Sequence, residues 1–177
     1  MSREPLKMQD ATLPEFSSQE QPQASPEFAI RGARLSDAAA IQSIIETYAR
    51  QRLMLPRSLM QIYENVRDYW VALDDGKVVG VGALHCFWED LVELRALAVA
   101  PAYKDLGLGR EIVLRLIEEA RAMGASKVFA FTYIPQFFSK FGFEQVPHHS
   151  LPLKVWKDCI NCSYFNNCNE IAMIKRL

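Results

Sequence analysis

The spacing of apolar positions changes period several times along the chain, and each change marks an expected element. Leu94 to Val99 is a short apolar run closed by Pro101, which predicts a strand. Past the loop Lys104-Asp105-Leu106-Gly107-Leu108-Gly109, Val113, Leu116, Ile117 and Ala120 recur at i, i+3, i+4 and i+7, which predicts a helix with one buried stripe. Upstream, Phe28 to Ala33 reads as a first strand, and Ser36 can cap a helix whose Ile41, Ile44, Ile45 and Tyr48 share one face. A second helix is expected from Ser58, after Pro56, with Leu59, Ile62, Tyr63 and Val66 turned inward. Tyr69 to Leu73 and Val78 to Phe87 flank Asp74-Asp75-Gly76-Lys77, a hairpin signal, and a turn at Trp88 to Asp90 leads into the central strand. Downstream, Gly124 ends the long helix, Lys127 to Thr132 forms a strand, a short helix starts at Pro135 or Gln136, and Ile171 to Arg176 is the last strand.

Composition narrows the class. The chain has 177 residues, half of them apolar, and a formal charge of −1, which predicts a single soluble domain with a sizeable core. Residues 1–27, rich in Gln, Ser, Pro and Glu and without an apolar period, read as a flexible tail ahead of a domain at 28–177. Lys and Arg are interspersed with Asp and Glu, so nucleic acid is not an expected partner. No apolar segment reaches the roughly 18 residues of a membrane span, and the N-terminus has no apolar signal core, so a cytoplasmic location is expected.

The two glycines at the start of the long helix carry the first chemistry. A helix start presents unpaired N–H groups and the positive end of the dipole, which suits an anion, a pyrophosphate above all. Glycine at 107 and 109 would let phosphate oxygens approach the main chain. No Gly-Lys-Ser/Thr follows and the spacing is not the dinucleotide fingerprint, so the alternative is a turn that merely uses glycine. Cys159-x2-Cys162-x5-Cys168 could hold zinc with His148, His149 or Asp158, but a second close pair is missing; free thiols or a redox-labile pair are the preferred reading, and Cys86 is expected in the core.

Glu93, Leu97-Ala98-Val99, Pro101 and Lys104-x-x-Gly107-x-Gly109 together resemble the acetyl-CoA-binding core of the GCN5-related N-acetyltransferases, and Phe137 to Phe143 resembles the second motif of that family. The family loop begins with Arg or Gln where this chain has Lys104, which keeps the charge and loses the planar fork. The resemblance implies a mixed α/β fold with a mostly antiparallel central sheet, one splayed strand and helices on both faces. It implies acetyl-CoA as cosubstrate, held by the backbones of Leu97, Ala98 and Val99, by the loop Lys104, Asp105, Leu106, Gly107, Leu108, Gly109 and Arg110, and by Phe137 and Phe138. The Leu97 N–H would polarise the thioester carbonyl.

By the same resemblance Glu93 stands where many relatives place a general base; the alternative is a carboxylate that only pairs with Arg95 or a substrate cation. With strict alternation Glu93 would share a face with Arg95, Leu97 and Val99. The Tyr that protonates the leaving thiol in many relatives is Phe138 here, with Tyr133 and Tyr103 as possible substitutes. Leu55-Pro56-Arg57-Ser58 and the segment from Leu153 to Met173 resemble short bacterial N-acetylglutamate synthases. That similarity implies transfer to the α-amino group of L-glutamate or L-glutamine, the first step of arginine biosynthesis. Arg57, His85 and Arg95 would then bind the acceptor, Lys154 standing in reserve; for His85 a core histidine satisfied by a neighbour is the preferred alternative. A homodimer is compatible with this reading. Two other functions stay open: acetylation of a peptide or other amine, and acyl-CoA sensing without catalysis.

Overall fold

The computed structural model describes residues 28–151 and 168–177. Its strands are β1 (Ala29–Gly32), β2 (Tyr69–Asp74), β3 (Lys77–Trp88), β4 (Leu91–Val99), β5 (Lys127–Thr132), β6 (Glu144–Gln145) and β7 (Ile171–Arg176). They form one sheet in the order β1-β2-β3-β4-β5-β7-β6, antiparallel throughout except where β4 meets β5. Helices α1 (Ala38–Ala49) and α2 (Leu59–Glu64) cover one face, and α3 (Leu108–Ala122) with α4 (Pro135–Ser139) covers the other. The mixed sheet with helices on both faces is the expected fold, and β6 is a short strand with no sequence forecast.

Local chemistry accounts for most of the boundaries. Ser58 caps α2 reciprocally: its hydroxyl accepts from the Gln61 N–H at 3.2 Å, and the Gln61 side chain accepts from the Ser58 N–H at 2.9 Å. In the β2–β3 hairpin Asp74 pairs with Lys77, and Asp75 (φ 45°) joins Gly76 (φ 75°) in the left-handed region, as a two-residue turn of that hand requires. Ser36 does not cap α1. It sits inside a 3-10 turn, Leu35–Asp37, and Asp37, the residue before α1, makes no side-chain cap bond to that helix: its carboxylate turns back to accept from the Arg34 N–H at 2.7 Å and from Arg31 at 2.6 and 3.1 Å, which fixes the entry to the turn. Tyr63 is 45 % exposed rather than inward, because α2 lasts only six residues and buries one position, Ile62.

The stripe on α3 is buried as expected and is widened by Leu108 and Ile112. Each large aliphatic side chain so buried contributes roughly 1.5–3 kcal/mol. The helix lies close because β3 has glycine beneath it. A Cβ at Gly82 would stand 2.8 Å from Ile112 Cγ2 and 2.9 Å from Leu116 Cδ1, and one at Gly80 would stand 2.9 Å from Ile112 Cδ1. These two glycines therefore set how near α3 packs to the sheet, and with it where the start of α3 stands relative to β4.

Candidate active site

Strand β4 departs from strict alternation. Ala96 adopts φ 52°, and the β3–β4 register jumps there, Ala83 pairing with Arg95 but Val81 with Ala98. This is a β-bulge, and one extra residue reverses which face every later side chain meets. Val92 and Leu94 pack into the core under α3, and so do Leu97 and Val99, whereas Ala96 and Ala98 pack under α1 and α2. The expectation that Glu93 and Arg95 share a face with Leu97 and Val99 is thus overturned. Glu93 and Arg95 lie on the α1/α2 face, Leu97 and Val99 on the α3 face, and the bulge between them puts main chain where a side chain would otherwise stand.

The bulge coincides with a fork in the sheet. β4 pairs with β5 from Leu91↔Lys127 to Glu93↔Phe129, and the pairing stops there. Beyond Glu93 the β5-side edge of β4 carries no strand pairing among the described residues, which leaves backbone groups available to an extended ligand laid along it. The carbonyl of Val99 accepts a hydrogen bond from the Tyr48 hydroxyl, tying the end of β4 to α1. Lys104 lies 5.0 Å from the centroid of the same tyrosine ring. Spacing alone had placed Tyr48 only in the core.

At the end of the β4–α3 loop Gly107 is the N-cap of α3, with φ 79°, and Asp105 is also left-handed at 64°. The first intrahelical bond runs from the Glu111 N–H to the Gly107 carbonyl at 3.2 Å, so the N–H groups of Leu108, Gly109 and Arg110 precede it. A Cβ at Gly109 would meet the Phe137 ring at 3.7 Å and Val99 at 3.8 Å, so the helix start, α4 and the end of β4 converge on this point. From Arg110 and Phe137 a groove of about 380 Å³ continues along α3 and is lined by Arg121, Lys140 and Lys175, cations suited to phosphates. Phe138 is 4 % exposed and sits edge-on between Phe137 and Phe143, so its ring belongs to the core. A hollow of about 530 Å³ beside Trp88, Lys127 and Arg176 touches the motif residues only at Gly142.

On the α1/α2 face, four charged or titratable side chains meet. His85 is the cross-strand partner of Glu93. Its Nδ1 lies 2.6 Å from Asp68 Oδ2, and the same oxygen is 3.5 Å from Arg95, whose guanidinium is also 3.6 Å from Glu93. The partners of this group come from a 3-10 turn, Val66–Asp68, and from β3 and β4, between the apolar cluster under α1 and the one around Phe129. Asp68 had no sequence signal; only its place just before β2 could have hinted at it. The structure also brings Arg57 to this side of the sheet, where its carbonyl accepts from Gln42 Nε2 at 3.3 Å and ties the segment before α2 to α1.

Other expectations resolve differently. The Tyr103 hydroxyl donates to Asp74 at 2.6 Å, which pushes its pKa up, so that phenol is committed away from the β4 edge. Cys86 is exposed near the hairpin end of β3, not in the core: an apolar residue type does not reveal where the cover on a strand ends. Partial burial and the Asp68 carboxylate push its thiol up. Cys159, Cys162, Asp158 and Lys154 lie outside the described residues, and among the described residues no group of three His, Cys, Asp or Glu could hold a metal. No helix of the described residues is long and apolar enough to cross a membrane.

The comparisons with known proteins agree with this geometry. The family model described as Acetyltransferase (GNAT) family matches residues 37–143. An uncharacterised N-acetyltransferase of Chlorobaculum tepidum is 40 % identical over 152 residues, which cover 84 % of this chain and 96 % of that protein. An amino-acid acetyltransferase of Mycobacterium tuberculosis is 42 % identical over 120 residues, 66 % of this chain and 68 % of that protein. Among solved structures, an N-acetylglutamate synthase of Neisseria gonorrhoeae complexed with coenzyme A and N-acetyl-glutamate superposes with a TM-score of 0.78 at 28 % identity. The match covers 85 % of this chain but only 35 % of that longer protein. A Mycobacterium tuberculosis protein crystallised with CoA gives 0.74 at 33 % identity, covering 84 % of this chain and 99 % of that one. With the forked sheet, the bulged central strand and the glycine-opened helix beside it, these matches lead to one conclusion: the chain belongs to the GNAT family of acetyltransferases.

Proposed function

We propose that this protein transfers acetyl from acetyl-CoA to the α-amino group of a small acidic amino acid, L-glutamate or L-glutamine. The observation that carries the reading is the fork between β4 and β5, with the start of α3 at one side and the Asp68, His85, Glu93 and Arg95 group on the other face of the sheet. The pyrophosphate meets the N–H groups of Leu108, Gly109 and Arg110, assisted by Lys104, while Asp105 and Leu106 shape the loop. The nucleotide end follows the basic groove beyond Phe137. The pantetheine arm lies along the open edge of β4 at Leu97, Ala98 and Val99, and the Leu97 N–H polarises the thioester carbonyl.

The acceptor enters from the α1/α2 face, with Arg57 and Arg95 as cations for its carboxylates and Glu93 as a proton acceptor, directly or through water. No side chain need protonate the leaving group, since a thiol of pKa roughly 8.5 departs without an acid. Relatives named amino-acid acetyltransferase support the acceptor class and, with it, a place at the start of arginine biosynthesis. The test is a panel of free amino acids with acetyl-CoA, reading thiol release. Glutamate or glutamine should be the best acceptor, and a panel in which no amino acid accelerates thiol release would refute the reading.

A further inference from the structure

From the geometry of the α1/α2 face we infer that His85 and Asp68 form a second proton acceptor of the acceptor site: His85 Nε2 takes the proton of the incoming ammonium, and Asp68 is the positioning residue that holds the proton of the neutral ring on Nδ1 and so leaves the lone pair on Nε2. The inference deepens the amino-acid acetyltransferase reading and rests on it.

Three observations carry it. Asp68 Oδ2 lies 2.6 Å from His85 Nδ1, and an ionised carboxylate can only accept, so in the neutral ring the proton sits on Nδ1 and the lone pair on Nε2. Among the described residues Nε2 has no partner and no buried side-chain nitrogen or oxygen lacks one, so Nε2 reaches solvent. Finally, His85 stands directly across from Glu93 in the β3–β4 register, so both side chains emerge on the same face. The charged and titratable groups around the imidazole are Asp68 from the turn before β2, Glu93 and Arg95 from β4, and Cys86, next along β3 itself.

The reaction gives both acceptors a task. A protonated amine must lose two protons to become an amide. The first passes to His85 Nε2, and the neutral nitrogen then attacks the thioester carbon. As the C–S bond breaks with its electron pair on sulfur, Glu93 takes the second proton, which returns through solvent to the CoA thiolate. The imidazolium then releases its proton to solvent, so the products are one amide, one thiol and one proton. Glu93 stands 3.6 Å from Arg95 and serves one proton at a time. The Nδ1–H···carboxylate bond steadies the imidazolium while it is charged.

The experiment compares the pH dependence of kcat for the parent, His85→Gln and Asp68→Asn, with glutamate or glutamine saturating. In the Asp68→Asn variant the new amide can turn its NH2 toward Nδ1, moving the ring proton to Nε2 with little change of shape. Both variants should lose about tenfold or more in kcat at neutral pH. Both should recover toward the parent at high pH, where free amine is abundant, with the apparent KM for acetyl-CoA unchanged. His85→Gln with the parental pH profile overturns the inference, as does a rise in amino-acid KM at unchanged kcat, which would make His85 a substrate contact. Asp68→Asn with the parental profile overturns the positioning role. A parent enzyme that releases no thiol with any amino acid would instead bring down the transfer reading on which the inference rests.

Discussion

Gly109→Ala separates the binding role of the helix start from its structural role. Gly109 is the second residue of α3 and its φ is not in the left-handed region; a Cβ there would meet Phe137 at 3.7 Å and Val99 at 3.8 Å, ordinary contact distances. The fold should therefore accept alanine, and the usual helix preference for Ala over Gly adds up to about 0.5–1 kcal/mol of stability. Thermal unfolding should move upward by a few degrees or stay in place, since 1 kcal/mol shifts a domain of this size by roughly 2–4 °C. If the pyrophosphate lies on the N–H groups of residues 108–110 as proposed, a methyl group at this point crowds the approach of its oxygens. Losing one charge-assisted hydrogen bond costs about 1.5–3 kcal/mol, which corresponds to a Kd for CoA raised roughly ten- to a hundredfold. Isothermal calorimetry with CoA and a thermal scan on the same preparation read both quantities. Gly107→Ala is the contrasting variant. Its backbone has φ 79°, so a side chain costs roughly 1–2 kcal/mol of stability, and it should both bind more weakly and melt earlier. A Gly109→Ala protein that binds CoA as the parent does would refute a pyrophosphate at this helix start.

Three further outcomes are expected. Glu93→Gln should lower turnover at neutral pH and recover partly at high pH; a parental pH–rate profile would show that Glu93 takes no proton in the rate-determining sequence. Arg57→Lys removes the planar fork that grips a carboxylate with two parallel bonds. It should raise the apparent KM for the amino acid roughly ten- to a hundredfold, with that for acetyl-CoA nearly unchanged, and unaltered amino-acid kinetics would move the acceptor site elsewhere. Asp37→Ala strips Arg31 and the Arg34 N–H of their acceptor and should cost about 2 kcal/mol in urea unfolding at neutral pH. Because the Arg31 guanidinium, above all by hydrogen bonding, holds the Asp37 carboxyl below its ordinary range, the parent has this stability in full above roughly pH 4 and loses it as pH falls through the depressed value. In the variant that share of the acid dependence should vanish, as urea midpoints measured from pH 7 downward would show.

Features that depend on neighbours along the chain were legible in the sequence. The α3 stripe follows from a 3.6-residue period, the β2–β3 hairpin from Asp-Gly chemistry, and the α2 cap from Ser58 and Gln61 three residues apart. The glycine loop before α3 belonged to this class too, because its glycines and the helix it opens are contiguous. Tertiary structure alone decided the faces of β4. A period of two carries Glu93, Arg95, Leu97 and Val99 to one side, but the bulge at Ala96 is made by how β4 registers against β3, and one inserted residue reverses every face beyond it. Contacts across long separations were equally invisible: the Tyr48 hydroxyl reaches Val99 over 51 positions, and His85 reaches Asp68 over 17. Neither pair has a local pattern to announce it, since folding brings together side chains whose spacing in sequence has no bearing on their distance in space. The sequence by itself thus determined most of the elements and the glycine-opened start of α3; packing of the strands determined which polar side chains share the α1/α2 face.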